Sequence, residues 1–579
     1  MGAFYHDPGV RAVNTTLGIL LLLSVPGLPL LLLLPTLRAR LSRPCHLALL
    51  PAVILLTLTL DYSIELPWLL FGTGLGIDGE SRLLIAMSVV LWIAATFLQA
   101  PAGEVDGCRQ TSFFLLTMAG NLGAILATGM VGFFTFSTLM GYGFYGLLVN
   151  GGDAAARRTG RVYLGFLILA DLALFEALLI AATTSRDLGF GVVRYAIEQS
   201  ATPGFYLSLV LAGLALKAAI WPLHFWLPLA FRSARPAVVL LLGGVPVAIG
   251  LLRMVRWLPL GALALPGVGE GIQWVGLAAA IYGTVAGLRQ SHPRALLAYA
   301  GIVVTGLFVA TLGSGLEWPV IGATIKETGH LFILYLGFML AALVSASVIA
   351  DKVTARRALH SLLLVAHVAG ALLLMLAPVI IFFLIRVPAG SDLLFADSGV
   401  VALWPWWTLC TTLLALRWLY LLPHHQQEAV SVPTPVIAVI WGVLLAATAA
   451  IGLLAALWCD DPMGVVVDVW RPVVLGLLIG SSVWWMAAKG ALPVIPAIPP
   501  GDLWLIIARW LSRVDHWMMS VGHQVLPRWR AAGLAVAGHL LQVCKWQKAL
   551  DAGERLLQRW SIAVTLLLLL GAAIVLLGT

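Results

Sequence analysis

Between Thr111 and Gly152 the chain carries no Asp, Glu, Lys or Arg. One helical pass through the hydrocarbon core takes ~20 residues, so this run is long enough for two. Leu331–Ala350 and Ser561–Thr579 are similar single-pass runs. Backbone in lipid must satisfy its own polar groups, which leaves helices or a closed barrel. The runs are continuous in Leu, Ala, Val and Ile rather than alternating, so they read as helices. Composition agrees: hydrophobic residues make up 61% and charged residues 10% of the 579, against about 25% charged in a soluble domain. The fold class expected is all-α polytopic membrane protein, with about sixteen crossings of ~20 residues.

Spans are expected near 16–36, 46–60, 83–100, 112–130, 131–149, 161–183, 205–225, 236–257, 271–287, 297–313, 319–349, 359–386, 399–422, 433–458, 472–488 and 560–578. The loops test this list. With the N-terminus outside, the inside loops hold Arg38, Arg40 and Arg43, then Arg157, Arg158 and Arg161, then Arg232 and Arg235. Arg289, Arg294, Lys352, Arg356 and Arg357 continue the series. Outside loops hold Asp61, Glu65, Asp78, Glu80, Asp460, Asp461 and Asp468. This is the asymmetry of the positive-inside rule, and it accounts for the net charge of +8 without nucleic-acid binding. The five cysteines are scattered with no CxxC pair, so neither a metal nor a cofactor is expected. MGAFYHDPGV lacks the basic start of a signal peptide. Residues 502–558 mix apolar and tryptophan positions with Arg509, Arg513, Arg528, Arg530, Lys545 and Lys548. That stretch reads as an amphipathic segment lying along the cytoplasmic interface before a last span. A lateral segment of this kind suits an assembly with other membrane subunits, with or without a peripheral soluble module.

An ionisable group inside a span is costly, so each is a functional candidate set against bundle-facing ion pairing. Asp171 and Glu176 fall in span 161–183, and Lys217 falls in 205–225 just before Trp221-Pro222-Leu223-His224. Pro222 removes a backbone donor and breaks that helix. A buried lysine beside a broken helix suits proton exchange, and Asp171 and Lys217 can pair as acid and base. Lys326, Glu327 and His330 cluster in 319–349, and His367 sits in 359–386. Lys326 and Glu327 also read as caps of a helix near the interface, the two histidines as core residues, and Arg294 as a loop anchor. No nucleophile–His–Asp or metal-ligand set is visible, which argues against a membrane transferase.

The segment Leu216–Ala230, with Lys217, Pro222-Leu223-His224 and Trp226-Leu227-Pro228, resembles a signature of the antiporter-like membrane subunits. These occur in respiratory complex I, Mrp-type cation/proton antiporters, and formate hydrogenlyase and related hydrogenases. Glu65–Leu70, Gly287-Leu288-Arg289-Gln290, Leu296–Tyr299, Thr411–Leu414 and Gly501-Asp502-Leu503 are similar to family positions. The resemblance implies two inverted five-helix repeats with broken helices and no intrinsic redox chemistry. By position Lys217 matches the broken-helix lysine, Asp171 its acidic partner and His224 the histidine after the break. It divides the chain into N-terminal helices (1–110), a first repeat (111–260), a second repeat (261–430), C-terminal helices (431–500), a lateral segment (501–558) and an anchor (559–579).

Departures accompany the resemblance. Ala248, Leu334 and the plain run 368–380 stand where the family carries lysines, and His292 and Arg294 replace an aspartate and a lysine. Either Lys326, Glu327, His330 and His367 substitute, or the copy is partly degenerate. The implied function is proton or cation translocation, Na+ included, within a multi-subunit complex of a bacterial inner membrane. The alternatives are a scaffold or energising partner for solute uptake, such as inorganic carbon, and a stand-alone secondary transporter.

Overall fold

A computed structural model describes residues 8–34, 45–58, 62–66, 73–99, 104–150, 154–184, 203–353, 360–384, 406–422, 434–459 and 462–489, with isolated positions 37, 193, 197, 501 and 513. The motif Pro67–Leu70, the lateral segment and the expected final span lie outside the described residues. Two compact units are distinguished, Met1–Glu65 with Gly74–Pro500 and Leu66–Thr73 with Gly501–Thr579. The elements below belong to the first, apart from Leu66 and Thr73 at two strand ends.

In chain order the helices are α1 (Pro8–Leu31), α2 (Leu50–Thr57), α3 (Gly79–Leu98), α4 (Glu104–Leu126), α5 (Met130–Val149), α6 (Ala154–Thr184), α7 (Pro203–Lys217) and α8 (Trp226–Ser233). There follow α9 (Pro236–Trp257), α10 (Pro266–Leu288), α11 (Pro293–Glu317), α12 (Pro319–Val353), α13 (His360–Leu384), α14 (Trp407–Leu421), α15 (Thr434–Trp458) and α16 (Pro462–Ala488). Nine of the described helices are long and apolar enough to cross a bilayer. The chain is an integral membrane protein. α9 to α12 each open on a proline, whose missing N–H costs nothing in a first turn. The expected span 205–225 is not continuous: α7 stops at Lys217 and α8 starts at Trp226.

Helices apolar all round belong in the middle. The apolar windows of α9, α11 and α12 are buried throughout, whereas those of α6 and α15 are 28% buried. α10 packs on α11 through glycines spaced by sevens. A Cβ on Gly269 would lie 2.6 Å from the Gly313 carbonyl oxygen, and one on Gly276 would lie 2.4 Å from that of Gly306. Small residues let the two backbones touch, as lipid-embedded helices require. Gly276→Ala is therefore expected to cost about 1–3 kcal/mol by overpacking. Gly271→Ala, where a Cβ meets nothing within 4 Å, should be neutral. Retention of monodisperse protein after graded heating in detergent measures both.

The chain is not purely helical. Strands β1 (Tyr62–Leu66) and β2 (Thr73–Ile77) form a small sheet. β2 also bridges the α4–α5 turn through Leu75 and Ala127, and Gly74 accepts from the Thr128 N–H at 3.0 Å. A Cβ at Gly74 would collide with the Thr128 hydroxyl. Beside this sheet Asp78 caps α3: its carboxylate accepts from the Ser81 N–H at 2.8 Å, and the Ser81 hydroxyl accepts from the Asp78 N–H at 2.9 Å. Arg256, at the end of α9, donates to Asp78 at 2.7 and 2.8 Å and to Glu80 at 2.8 Å.

Partial burial pushes the Asp78 carboxyl up, but Arg256 and the bonds from Ser81 outweigh it and hold the group below the usual carboxylate range. Stability from a lowered carboxyl is complete above its unfolded value of about 3.9 and vanishes as pH falls through the folded value. Asp78→Asn is expected to remove this acid sensitivity. At neutral pH it should cost no more than about 1 kcal/mol, because the pair is partly exposed. Unfolding in detergent followed from pH ~7 to ~3 checks both parts.

Candidate functional site

The site forms where α7 gives out. Gly213, one turn before Lys217, lets α7 settle against the Ala170 carbonyl and Leu174, which flank Asp171 on α6. Lys217 Nζ consequently reaches Asp171 Oδ1 at 2.7 Å, with side-chain exposures of 4% and 12%. The second carboxylate oxygen, Oδ2, is buried with no hydrogen-bond partner among the described residues. Few buried polar atoms go unsatisfied in native folds, so Oδ2 is an acceptor open to a water or a proton.

The backbone after Lys217 turns sharply. Ala219 has φ +52°, a left-handed conformation common at helix ends, and the Trp221–Pro222 peptide is cis. The Ile220 N–H returns to the Ala215 carbonyl at 2.9 Å, and Trp226 Nε1 donates to the Leu216 carbonyl at 3.0 Å. These bonds tie α8 back onto the end of α7. Gly250 of α9 admits the turn, since a Cβ there would sit 2.7 Å from that of Ala218. A small cavity with room for about one water lies against Lys217, lined by Ser137, Tyr163, Leu167, Trp226 and Pro246 among others.

The remaining sequence candidates are dispersed. His224 is fully buried but does not line this cavity, and its ring lies 5.0 Å from Tyr282 of α10 and 6.2 Å from Tyr299 of α11. His367 is buried against Trp418, with ring centroids 6.0 Å apart. His330 is half-buried, within the fields of Glu80, Asp78 and Arg256. Lys326, Glu327 and Glu176 are exposed. Of all these, the structure joins Asp171 to Lys217.

Arg294, expected as a loop anchor, lies at the start of α11. It is 6% exposed at the first turn of α11, where His292 Nδ1 accepts from its N–H at 3.2 Å. Ala248 and Leu334 are buried apolar positions, 3% and 4% exposed.

Two residues the sequence did not single out matter here. Tyr163 lines the cavity and is buried, with its ring 5.1 Å from Trp226. Arg253 is fully buried, donates to the carbonyls of Ala124, Ile125 and Ala127, and covers the Phe133 ring at 4.8 Å. It neutralises the carbonyl end of α4, which has no intrahelical donors left. The uncharged run along α4–α5 gives no hint of this partner.

Residues 127–389 match the family described as NADH:quinone oxidoreductase/Mrp antiporter, TM. A probable K(+)/H(+) antiporter protein of Rhizobium meliloti (strain 1021) is 28% identical over 284 residues, covering 47% of this chain and 52% of the relative. The chain spans about half or less of the length of the curated relatives it matches first. In the Mrp complex from Dietzia sp. DQ12-45-1b, one chain superposes with TM-score 0.66 at 17% identity, covering 93% of this chain and 62% of that one. A chain of the membrane-bound sulfane sulfur reductase, an archaeal respiratory membrane complex, gives TM-score 0.56 at 16% identity, covering 80% of this chain and 99% of that one. The Asp171–Lys217 break lies inside the matched region, and residues 127–389 are a divergent match to the NADH:quinone oxidoreductase/Mrp antiporter family.

Proposed function

We propose that the chain translocates protons, or a cation in exchange for them, as one membrane subunit of a multi-subunit complex, with its N-terminus outside and the lateral segment on the cytoplasmic face. The observation that carries this is the buried Asp171–Lys217 pair at a helix break, with one carboxylate oxygen unpartnered and a water-sized cavity alongside. Opposite charges in low dielectric hold each other ionised. Separation of the pair, or arrival of a proton at Oδ2, leaves Lys217 without its counter-charge. Exchange between the two groups is then a proton-transfer step that needs no cofactor.

The buried Leu334 favours a second reading of the region 261–430. In that reading only the first repeat, 111–260, conducts, and the second serves as scaffold, also when the complex energises uptake of another solute. Both readings require Asp171. Asp171→Asn, assayed as proton uptake by membrane vesicles holding the intact assembly, should lower the rate at least tenfold. Uptake at the unaltered rate would show that the pair is a static support.

A further inference from the structure

The outward side of α6 combines two things that do not belong together in lipid. Ile168, Leu172, Phe175 and Leu179 are 51%, 61%, 43% and 46% exposed, and their spacing places them on one stripe. Glu176 is exposed on that same stripe. Asp171 lies five residues earlier, about 140° around the helix at ~100° per residue, which is why one acid meets Lys217 and the other faces out. Glu176 sits eight residues, about 12 Å, before the end of α6, and about 22 Å beyond the interfacial Arg161. A carboxylate at that depth facing acyl chains is costly and calls for a partner. Gly165, on the same side, has nothing within 4 Å of a Cβ, so a second backbone can approach there. By contrast α15 exposes Val439 and Val443 at 66% and 50% and contains no charged residue. That is what a lipid-facing surface looks like.

We infer that the Ile168–Leu179 face of α6 is a docking surface for a transmembrane helix of a different polypeptide, one that presents Lys, Arg or His to Glu176. The inference rests on the subunit reading above and names the face and the chemistry of its partner. Charge complementarity selects the occupant: a purely apolar helix would leave Glu176 desolvated and unpaired, and an anionic lipid headgroup would repel it.

The test uses the full chain in its own membranes. A photoreactive phenylalanine is placed at Leu172 or Leu179, and at Val443 for reference. Irradiation should yield, from 172 and 179 alone, an adduct that peptide mapping assigns to a membrane helix carrying a basic residue. Glu176→Leu should cut that adduct at least tenfold at an unchanged level of the chain, and Glu176→Gln should cut it less. Lipid adducts alone from 172 and 179, in an assembly that still migrates above the single chain on native gels, would overturn the inference and spare the subunit reading. So would an adduct to a second copy of this chain, or to a helix without a basic residue. A chain that migrates alone overturns both.

Discussion

Lys217→Ala is expected to lower proton uptake at least tenfold and to destabilise the protein by about 3–5 kcal/mol, the usual cost of removing one partner of a buried ion pair. The loss follows from Asp171, which keeps a carboxylate 12% exposed with neither oxygen compensated. Replacing both partners removes that penalty. The double variant Asp171→Leu with Lys217→Met should regain most of the stability, since apolar groups of similar volume fill such sites well. It should regain none of the uptake. Stability and transport are thereby separated in one thermodynamic cycle. A double variant that transports at the original rate would contradict the assignment, whatever its stability.

Arg253→Leu should produce the other large effect, a loss of roughly 3 kcal/mol or more, because buried acceptors left without donors cost about 1–3 kcal/mol each. Three carbonyls at the end of α4 lose the guanidinium, and Phe133 loses its cationic cover. The α4–α5 turn is where β2 bridges through Leu75 and Ala127, so proteolysis should open first near residues 124–130. Size-exclusion profiles after graded heating measure the loss, and an unchanged profile would show that the arginine is dispensable. Arg253→Lys should recover part of it, as one ammonium cannot span three carbonyls in the planar fork of a guanidinium.

Much of this was legible from one sequence because lipid leaves few options. Continuous apolar runs place helices, and Pro236 and Pro319 stand where two of the expected spans begin. The break after Lys217 was legible too, since Pro222 cannot continue a helix. Depth is readable from sequence, but rotation is not. Asp171 and Glu176 were equal candidates in one span, and their roles are separated only by which way α6 turns among its neighbours. Arg253 falls four residues before the end of the expected span 236–257. Its partners lie 126 to 129 residues away in the chain, and no local pattern announces them. Arg294 sits in a sequence that reads as a loop, yet α11 starts at Pro293 and draws it into the bundle. The strands at 62–66 and 73–77 escaped notice because a five-residue strand is too short to show its period among apolar neighbours.

The central claim is that Lys217 gives up and regains a proton, beyond merely holding α6 to α7. Lys217→Arg tests it most directly. A guanidinium preserves the positive charge and the pairing with Asp171, but it does not deprotonate in a protein. Proton uptake by vesicles holding the intact assembly should fall at least tenfold, with assembly and thermal stability close to those of the original chain. Uptake at the original rate in Lys217→Arg would contradict the account and leave Asp171–Lys217 as a static ion pair.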